Sequence, residues 1–186
     1  LAKKMSRIFF EVIVAKGFEK KAIHELKKRK KLILLKISSS QNQVSEIKNT
    51  VFGDLYQSVD RERINKNFIK LASNKKGAEK EIKDILFSIK VVKHLKSNSI
   101  VLSKNTQTIG LGHGQANRID AVKFAIKNKK MNFKNKNFVC ASDGFFPFTD
   151  SISLLRKNGC KVLAQPAGSI NDKKVVTYAV NNSKNI

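Results

Sequence analysis

A glycine-rich segment at residues 110–118 (GLGHGQANR) carries the first chemical signal of the sequence. It follows a predicted strand and opens a predicted helix, where free backbone amides attract anions. Its glycines would let the backbone approach a ligand closely, and Arg118 would add a bidentate charge for a phosphate or a carboxylate. The glycine spacing fits neither the Walker loop nor the dinucleotide-binding fingerprint. The segment therefore indicates either an anion site or a tight turn with a surface arginine.

Aromatic residues concentrate in a second segment, residues 142–150 (SDGFFPFTD), between a predicted strand and a predicted helix. Loops carry this much aromatic surface when it packs into the core, the more frequent case, or when it stacks on a flat ligand. Residues 165–169 (QPAGS) form a third turn after the next predicted strand. Ligands of open α/β sheets bind at the carboxyl ends of the strands. Three unusual loops at strand ends therefore favour a binding site there.

The histidines and cysteines give weaker indications. His24 and His94 lie in basic predicted helices, which is typical of surface residues rather than of catalysts. No nucleophile elbow supports a serine triad. A zinc site built from Cys140, Cys160 and His113 would lack any Cys-x-x-Cys pair. We therefore predict no metal site and two reduced thiols in the core.

The elements that must position these loops begin with a β-α-β pattern. Residues 9–15 and 32–37 are apolar runs of strand length, and apolar residues recur between them at helical spacing until the basic stretch that ends at Lys31. This rhythm is typical of parallel sheets in α/β proteins. Residues 38–77 are polar and carry little pattern, and among them only residues 51–56 have the character of an ordered element.

The rest of the chain alternates helices and strands more regularly, and the whole pattern predicts a single α/β unit. A long helix is predicted at residues 78–95 because one apolar stripe runs along it. The elements predicted after it are a hairpin of residues 99–102 and 108–111 around Lys104 and Asn105, a helix at 118–130, a buried strand at 138–142, a helix from Asp150, its N-cap, to Gly159, a strand at 161–165 and a helix at 172–180.

The formal net charge is +24 and the pI is about 10.2, in the range where nucleic-acid binding is usually considered. Only six of the 38 basic residues are arginines, whose planar fork suits phosphate and guanine. Lysine is spread along the whole chain together with asparagine and isoleucine, and all three have AT-rich codons. The excess charge therefore fits a coding bias without a nucleic-acid partner. A basic RNA- or DNA-binding module remains the alternative.

The 186 residues suffice for one domain or for a large part of a bigger one. Lysine or arginine interrupts every apolar run early, so the sequence predicts no transmembrane span and no secretory signal. We expect a cytoplasmic protein. Because the first residue is Leu1, with no cap or turn signal before it, we also expect the chain to begin inside a longer one.

Four segments together resemble the final part of the AICAR formyltransferase family, and they match it in order and spacing. They are residues 96–101 (KSNSIV), 110–118, 142–150 and 165–172. Residues 10–15 and 84–95 are also similar, so the likeness covers nearly the whole chain. The loop Phe145-Phe146-Pro147-Phe148 is its most specific part.

This family is the transformylase half of a bifunctional purine biosynthesis protein that also carries IMP cyclohydrolase. The resemblance implies formyl transfer from 10-formyltetrahydrofolate to the 5-amino group of aminoimidazole carboxamide ribonucleotide (AICAR). It also implies a cytidine-deaminase-like layered α/β sheet without zinc, and sites that form across a homodimer. Residues 1–186 would then be the C-terminal portion of a formyltransferase domain, with an incomplete fold and no cyclohydrolase domain.

The resemblance also assigns residues to the two ligands. Asn98, Arg118 and Phe145 would contact the nucleotide, with Arg118 at its carboxamide or phosphate end. Asp150 would accept hydrogen bonds from the amino and amide N–H groups of the pterin, a role that competes with its role as helix N-cap. The loop aromatics would stack on the flat pterin. The complete folate side would be Ile119, Pro147, Phe148, Asp150, Ser169 and Ile170.

Two departures from the family pattern bear on activity. The family's catalytic Lys-His pair, whose histidine is the general acid or base, lies upstream of residue 1, and Lys93-His94 occupies a position that the family does not use. The family's last strand and its Arg/His tail would follow Ile186. We therefore expect no catalytic residue here, weak or absent activity of the chain alone, and a second copy or a complementary fragment as partner. An inactive relic of the enzyme is the other alternative.

Overall fold

The computed structural model describes residues 1–38, 45–73, 77–134 and 136–182. They form two compact units, Leu1–Arg61 and Glu62–Ile186. The sequence pattern predicts a single α/β unit instead. The division falls inside the polar stretch at residues 38–77, and boundaries between compact units commonly fall in such polar segments.

The first unit contains a short helix, α1 (Ala2–Met5), and a β-α-β motif. Strands β1 (Val12–Ala15) and β2 (Ile33–Lys36) pair in parallel, and helix α2 (Lys20–Leu26) connects them, which confirms the predicted rhythm. The elements are shorter than predicted. Helix α2 ends at Leu26, whose side chain is buried, because the basic stretch that follows has no apolar residue to bury.

An antiparallel hairpin completes the first unit. Strands β3 (Ser45–Thr50) and β4 (Gly53–Ser58) are paired along their whole length, whereas the sequence predicts order only for residues 51–56. Nearly all side chains of both strands are exposed, so the alternation from which strands are predicted is missing. Residues 39–44 and 74–76 of the same polar stretch lie outside the described residues.

The second unit begins with a short 3-10 helix (Lys66–Phe68) that the sequence does not predict. The elements after it are predicted, with bounds that differ by a few residues: helix α3 (Glu79–Val92), strands β5 (Ile100–Lys104) and β6 (Gln107–Gly112), helix α4 (Arg118–Asn132), strand β7 (Phe138–Ser142), helix α5 (Asp150–Lys157), strand β8 (Cys160–Ala164) and helix α6 (Asp172–Asn181).

Strands β5 to β8 form one mixed sheet in the order β6-β5-β7-β8. Strand β5 is antiparallel to both β6 and β7, and only β7 and β8 are parallel. All five residues of β7 are buried, as predicted for a central strand. Strand pairing in the sheet of the second unit is therefore mixed rather than purely parallel.

Alternate residues of β5 pack into two different clusters, which places helices on both faces of the sheet. Ile100 and Leu102 pack with Val122 and other residues of α4, whereas Val101 packs with Val92 of α3. Side chains alternate between the two faces of a strand, so α3 and α4 cover opposite faces. The second unit is a layered α/β/α structure.

A buried carboxylate ties α3 to the turn between β5 and β6. Asp84 accepts hydrogen bonds from the backbone amides of Asn105 (2.9 Å) and Thr106 (2.6 Å), which have φ values of 54° and 53°. Positive φ at both central residues is the backbone of a tight hairpin turn. Ser88 and Ser103 donate to the backbone carbonyl of Asp84. The turn thus lies one residue later than the predicted Lys104-Asn105 pair.

Within the part of the chain that the structure describes, the helices are all too short or too polar to cross a membrane.

Candidate functional site

The three unusual loops meet at one edge of the sheet. In the sheet, Ile100 at the start of β5 is the partner of Gly112 at the end of β6 and of Ser142 at the end of β7. Strand β8 runs parallel to β7, so its last residue lies at the same edge. The loops after β6, β7 and β8 and the segment before β5 therefore converge, as the sequence predicts for a ligand site.

Asp143, a carboxylate to which the sequence assigns no role, connects residues around the predicted nucleotide contacts. It accepts hydrogen bonds from the hydroxyl of Ser97, the backbone amide of Ser99 (2.9 Å) and Nη1 of Arg118, with which it forms an ion pair. Nη1 of Arg118 also donates to the carbonyl of Ser99 (3.3 Å). The side chain of Arg118 is 11% exposed, so the interpretation as a surface arginine is wrong.

The charge of Arg118 is balanced inside the protein. Burial by itself raises the pKa of Asp143, but the hydrogen bonds from Ser97 and Ser99 and the guanidinium of Arg118 outweigh it and hold that pKa below its usual value. Asp143 is therefore ionised at neutral pH and compensates the arginine. Arg118 offers a ligand directed N–H donors rather than a free positive charge.

Asn98 lies beside the glycine segment. Its side-chain amide donates to the carbonyls of Gln115 (3.0 Å) and Ala116 (3.3 Å), and its backbone N–H donates to the Gln115 carbonyl (3.2 Å). A further bond runs from the Gly114 amide to the Lys96 carbonyl (2.7 Å). The segment before β5 and the loop after β6 are thus joined, and Asn98 lies two residues after Lys96 in this junction.

The first glycines of the glycine segment contact a helix instead of a ligand. A Cβ atom at Gly112 would overlap the carbonyl oxygen of Ala121 and lie 2.8 Å from its carbonyl carbon. A Cβ at Gly110 would likewise overlap the carbonyl oxygen of Ala125. These glycines let α4 approach β6 closely, so for them the predicted role in ligand approach is replaced by packing. Gly114 has φ of +66° and forms the turn.

The two loops that carry most of the predicted folate contacts share a hydrogen-bonded frame. Gln165 accepts from the backbone amide of Phe146 (2.9 Å) and donates to Asp172 (3.2 Å). Asp172 in turn accepts from the amides of Gly168 (2.7 Å) and Ser169 (3.1 Å). Gln165 and Asp172 bound the segment 165–172 that carries part of the resemblance, but the sequence assigns no role to either residue. The frame fixes the aromatic loop against the turn after β8.

This frame presents apolar side chains outward. Asn171 donates to the carbonyl of Pro147 (3.0 Å) and closes the second link between the loops. Phe145 is 44% exposed and Phe148 is 64% exposed, whereas Ile170 is fully exposed. Phe146 between them is completely buried. Core packing therefore explains one phenylalanine of the loop and leaves two at the surface.

The other residues predicted to bind the folate differ in exposure and in hydrogen bonding. The N-cap residue of α5 is Thr149 and not Asp150, which is the first helical residue and accepts from the amide of Ser151 (2.6 Å). The predicted N-cap at Asp150 is thus wrong by one residue, and its side chain is exposed. Ser169 is partly buried and accepts a bond from the Asn171 amide. Ile119 is partly exposed in the first turn of α4.

The cysteines are free thiols in the core. Cys140 and Cys160 are both buried, and burial raises the pKa of Cys140, as does a hydrogen bond with Cys160. His24, His94 and His113 are exposed. Among the described residues, no group of three or more His, Cys, Asp or Glu side chains is arranged to hold a metal ion.

Comparison with known proteins identifies the family. The family model described as AICARFT/IMPCHase bienzyme matches residues 1–128. Bifunctional purine biosynthesis protein PurH of Oceanobacillus iheyensis is 42% identical over 177 residues, which cover 94% of this chain and 34% of the relative. The PurH proteins of Lactobacillus acidophilus and Aquifex aeolicus are 40% and 38% identical over 96% and 94% of the chain, and 35% and 34% of their own lengths.

The chain spans about a third of the length of these curated relatives. The matched region includes the aromatic loop and the turn after β8, since the alignments extend over more than nine-tenths of the chain. The relatives thus agree with the resemblance found in all four segments, and the family model covers the first two of them, residues 96–101 and 110–118. The chain belongs to the AICARFT/IMPCHase bienzyme family of purine biosynthesis proteins.

Proposed function

We propose that this chain supplies the folate-side pocket, and part of the nucleotide side, of an AICAR formyltransferase. The observation that carries the proposal is the pair of exposed phenylalanines, Phe145 and Phe148, in the loop that the Gln165 frame holds and that begins at Asp143, the ion-pair partner of Arg118. A rigid aromatic surface beside directed N–H donors suits a flat pterin next to a polar nucleotide. Family membership supports the same ligands.

In the proposed reaction, the 5-amino nitrogen of AICAR attacks the formyl carbon of 10-formyltetrahydrofolate. A new C–N bond forms, the bond from the formyl carbon to N10 of the folate breaks, the amine loses a proton and N10 gains one. Phe148 and Ile170 would cover a face of the pterin, and the exposed carboxylate of Asp150 would accept its N–H groups. These residues bind and orient, which brings the amine and the formyl carbon together.

The groups that move the proton are assigned outside this chain. The chain corresponds to about a third of its relatives, and we place the general acid or base in the remainder, either in a longer polypeptide or in a complementary fragment. A second copy completing the site as a homodimer is part of the same proposal. The proposed fold for the assembled domain is the cytidine-deaminase-like layer, of which the α/β/α unit would be one part.

Folate binding by the purified chain tests the proposal. Isothermal titration with 10-formyltetrahydrofolate is compared for the wild type, Phe148→Ala and Phe124→Ala, an exposed phenylalanine on α4 (47% exposed) that lies outside the proposed pocket. Loss of a stacked aromatic ring costs about 1.5–3 kcal/mol, so Phe148→Ala should bind about 10- to 100-fold more weakly. Phe124→Ala should bind within about twofold of the wild type.

Equal effects of the two phenylalanine variants would contradict the folate-side assignment. If the wild type binds no folate, the chain alone is either an inactive relic or needs its complement to bind. Repeating the titration after adding the portion of a PurH relative that this chain does not match separates these two cases. Binding restored by the complement supports the proposal, and binding still absent supports the relic.

The high charge favours one second candidate, a basic nucleic-acid-binding module. Lys123, Lys127 and Lys130 line a groove between α4 and α5 whose apolar wall includes Ile126 and Leu154. This candidate requires that affinity for a labelled single-stranded RNA fall steeply between 50 and 200 mM salt, by about 10³-fold or more if six or more phosphates are contacted. A shallow salt dependence rejects it.

A further inference from the structure

One carboxylate at the sheet edge binds donors from two separate parts of the chain. Asp143 holds the guanidinium of Arg118, which begins α4, and also the hydroxyl of Ser97 and the amide of Ser99, which precede β5. Its own backbone amide donates to the Ser99 carbonyl (3.3 Å). Asn98 lies between the two serines. The residues assigned to the nucleotide, Asn98 and Arg118, are thus both connected to Asp143.

This ion pair is shielded from water, unlike the surface pairs of the chain. The side chains of Arg118 and Asp143 are 11% and 14% exposed, whereas in the pair of Lys123 with Asp120 the fractions are 59% and 38%. Exposed pairs contribute little, but removal of one member of a buried pair leaves the other charge uncompensated. The geometry of Arg118 therefore depends on Asp143.

Some buried polar atoms in and beside the cluster have no hydrogen-bond partner within the described part of the chain. Among the described residues, the buried side-chain atoms without a hydrogen-bond partner are Nε of Arg118, Oγ of Ser99 and Oγ of Ser142, all on members or direct neighbours of the cluster. Buried polar atoms are almost always paired in folded proteins, so such atoms call for a water or a ligand as partner. Gly144 adds to this arrangement, because a Cβ atom there would lie 2.6 Å from Nη2 of Arg118.

We propose that Asp143 is a positioning residue of the nucleotide side: its carboxylate locks Arg118 and the segment of Ser97, Asn98 and Ser99 into one unit. Its role toward the nucleotide rests on the function proposed above. Asp143 acts through Arg118, whose Nη1 it occupies and whose Nε it leaves unpaired, and through the segment that carries Asn98. Asp143→Asn would keep the shape of the side chain but remove the charge that holds the guanidinium.

Proton exchange at Arg118, measured without any ligand, tests whether Asp143 fixes the guanidinium. In ¹⁵N-labelled protein, exchange of the Nε–H proton of Arg118 with water is compared between the wild type and Asp143→Asn. The Nε–H resonance is identified by its loss in Arg118→Gln. We expect exchange at least tenfold faster in Asp143→Asn, with unchanged amide exchange in β5 and β7. Asp120→Asn, the same charge change in the first turn of α4, should leave the Arg118 exchange rate unaltered.

Unchanged Arg118 exchange in a folded Asp143→Asn variant overturns the proposal. If that variant does not fold, Ser97→Ala provides the test, because it removes one donor to Asp143 and leaves the ion pair with Arg118 in place. In Ser97→Ala the amides of Asn98 and Ser99 should exchange several-fold faster. No change at these amides would overturn the connection between the two parts of the unit.

Nucleotide affinity provides the functional readout. By calorimetric titration with AICAR, Asp143→Asn alone should bind about 10- to 100-fold more weakly, as expected for loss of a charge-assisted hydrogen bond. In an Arg118→Gln background, the same change should weaken binding by a clearly smaller factor, because only the route through the segment that carries Asn98 remains. Additive effects would overturn the proposal.

The two readouts separate this inference from the proposed function. If Arg118 exchange responds as expected but the wild type binds no AICAR, alone or with its complement, the nucleotide-side assignment fails and the lock within the fold stands. If the wild type binds AICAR but Arg118 exchange does not respond to Asp143→Asn, the lock fails and the proposed function stands.

Discussion

Replacement of Gly112 by alanine tests whether the glycine segment serves packing or ligand approach. The added Cβ would lie 2.8 Å from the carbonyl carbon of Ala121 and 3.0 Å from the amide nitrogen of Ala125, and it would overlap the Ala121 oxygen. Favourable carbon contacts lie at about 3.5–4.0 Å, so α4 would have to move away from β6 by about 1 Å. All these neighbouring atoms are backbone, so no side chain can rotate to make room.

The expected loss of unfolding free energy in Gly112→Ala follows from the residues that α4 buries. Its inward residues Ala121, Val122 and Ala125 are completely buried against the sheet, and a gap of about 1 Å forfeits up to half of each contact energy. Overpacking of this kind costs about 1–3 kcal/mol, and we expect the upper part of that range, about 2–3 kcal/mol. For a chain of this size the melting temperature should fall by about 4–12 °C.

The assay is urea unfolding followed by far-ultraviolet circular dichroism, with Gly17→Ala as the matched control. Gly17 has no neighbouring atom within 4 Å among the described residues, so alanine there should change the unfolding free energy by less than about 1 kcal/mol, if anything upward. A Gly112→Ala variant as stable as the wild type but impaired in AICAR binding would refute the packing explanation. The original interpretation, a glycine that serves ligand approach, would then be correct.

Two further predictions concern carboxylates of the second unit, the buried Asp84 and the partly buried Asp143. Asp84→Ala should destabilise the protein by about 2–4 kcal/mol in urea unfolding, because two amides in a positive-φ turn lose their acceptor; a loss below about 0.5 kcal/mol would contradict the role of Asp84. The pKa of Asp143 is lowered on folding, so its stabilising contribution is complete above the unfolded value of about 3.9 and is lost as pH falls through the folded pKa. Between about pH 5 and pH 3, the urea midpoint of Asp143→Asn should therefore fall less steeply with decreasing pH than that of the wild type. The same decrease in both proteins would count against the ion pair.

The helices and strands of the second unit were predictable because burial left a strong pattern in the sequence. The run at residues 138–142 is apolar throughout and is a fully buried strand, and the stripe on α3 faces the sheet. The hairpin of β3 and β4 was missed for the opposite reason. Its side chains are exposed on both faces, so nothing in its residue types distinguishes a strand from a polar loop.

The location of the candidate site was also predictable, but its internal contacts were not. Loops after three strands indicate one edge of a sheet, and the strand directions bring them there. The partner of Arg118, however, lies 25 residues away in sequence, and no local pattern selects Asp143 over other carboxylates. The same holds for Gln165, whose hydrogen bonds join loops that only the folded sheet brings together.

The position of the cysteines has a practical consequence for studying this protein. Cys140 and Cys160 are the only thiols of the sequence, both are buried, and the raised pKa of Cys140 keeps its reactive thiolate scarce. Maleimide reagents should therefore spare the folded chain, and a cysteine introduced at an exposed position such as Phe148 would accept a single spectroscopic label. Any slow modification of the native thiols then reports how often the sheet between α3 and α4 opens, a direct measure of local unfolding at the centre of the fold.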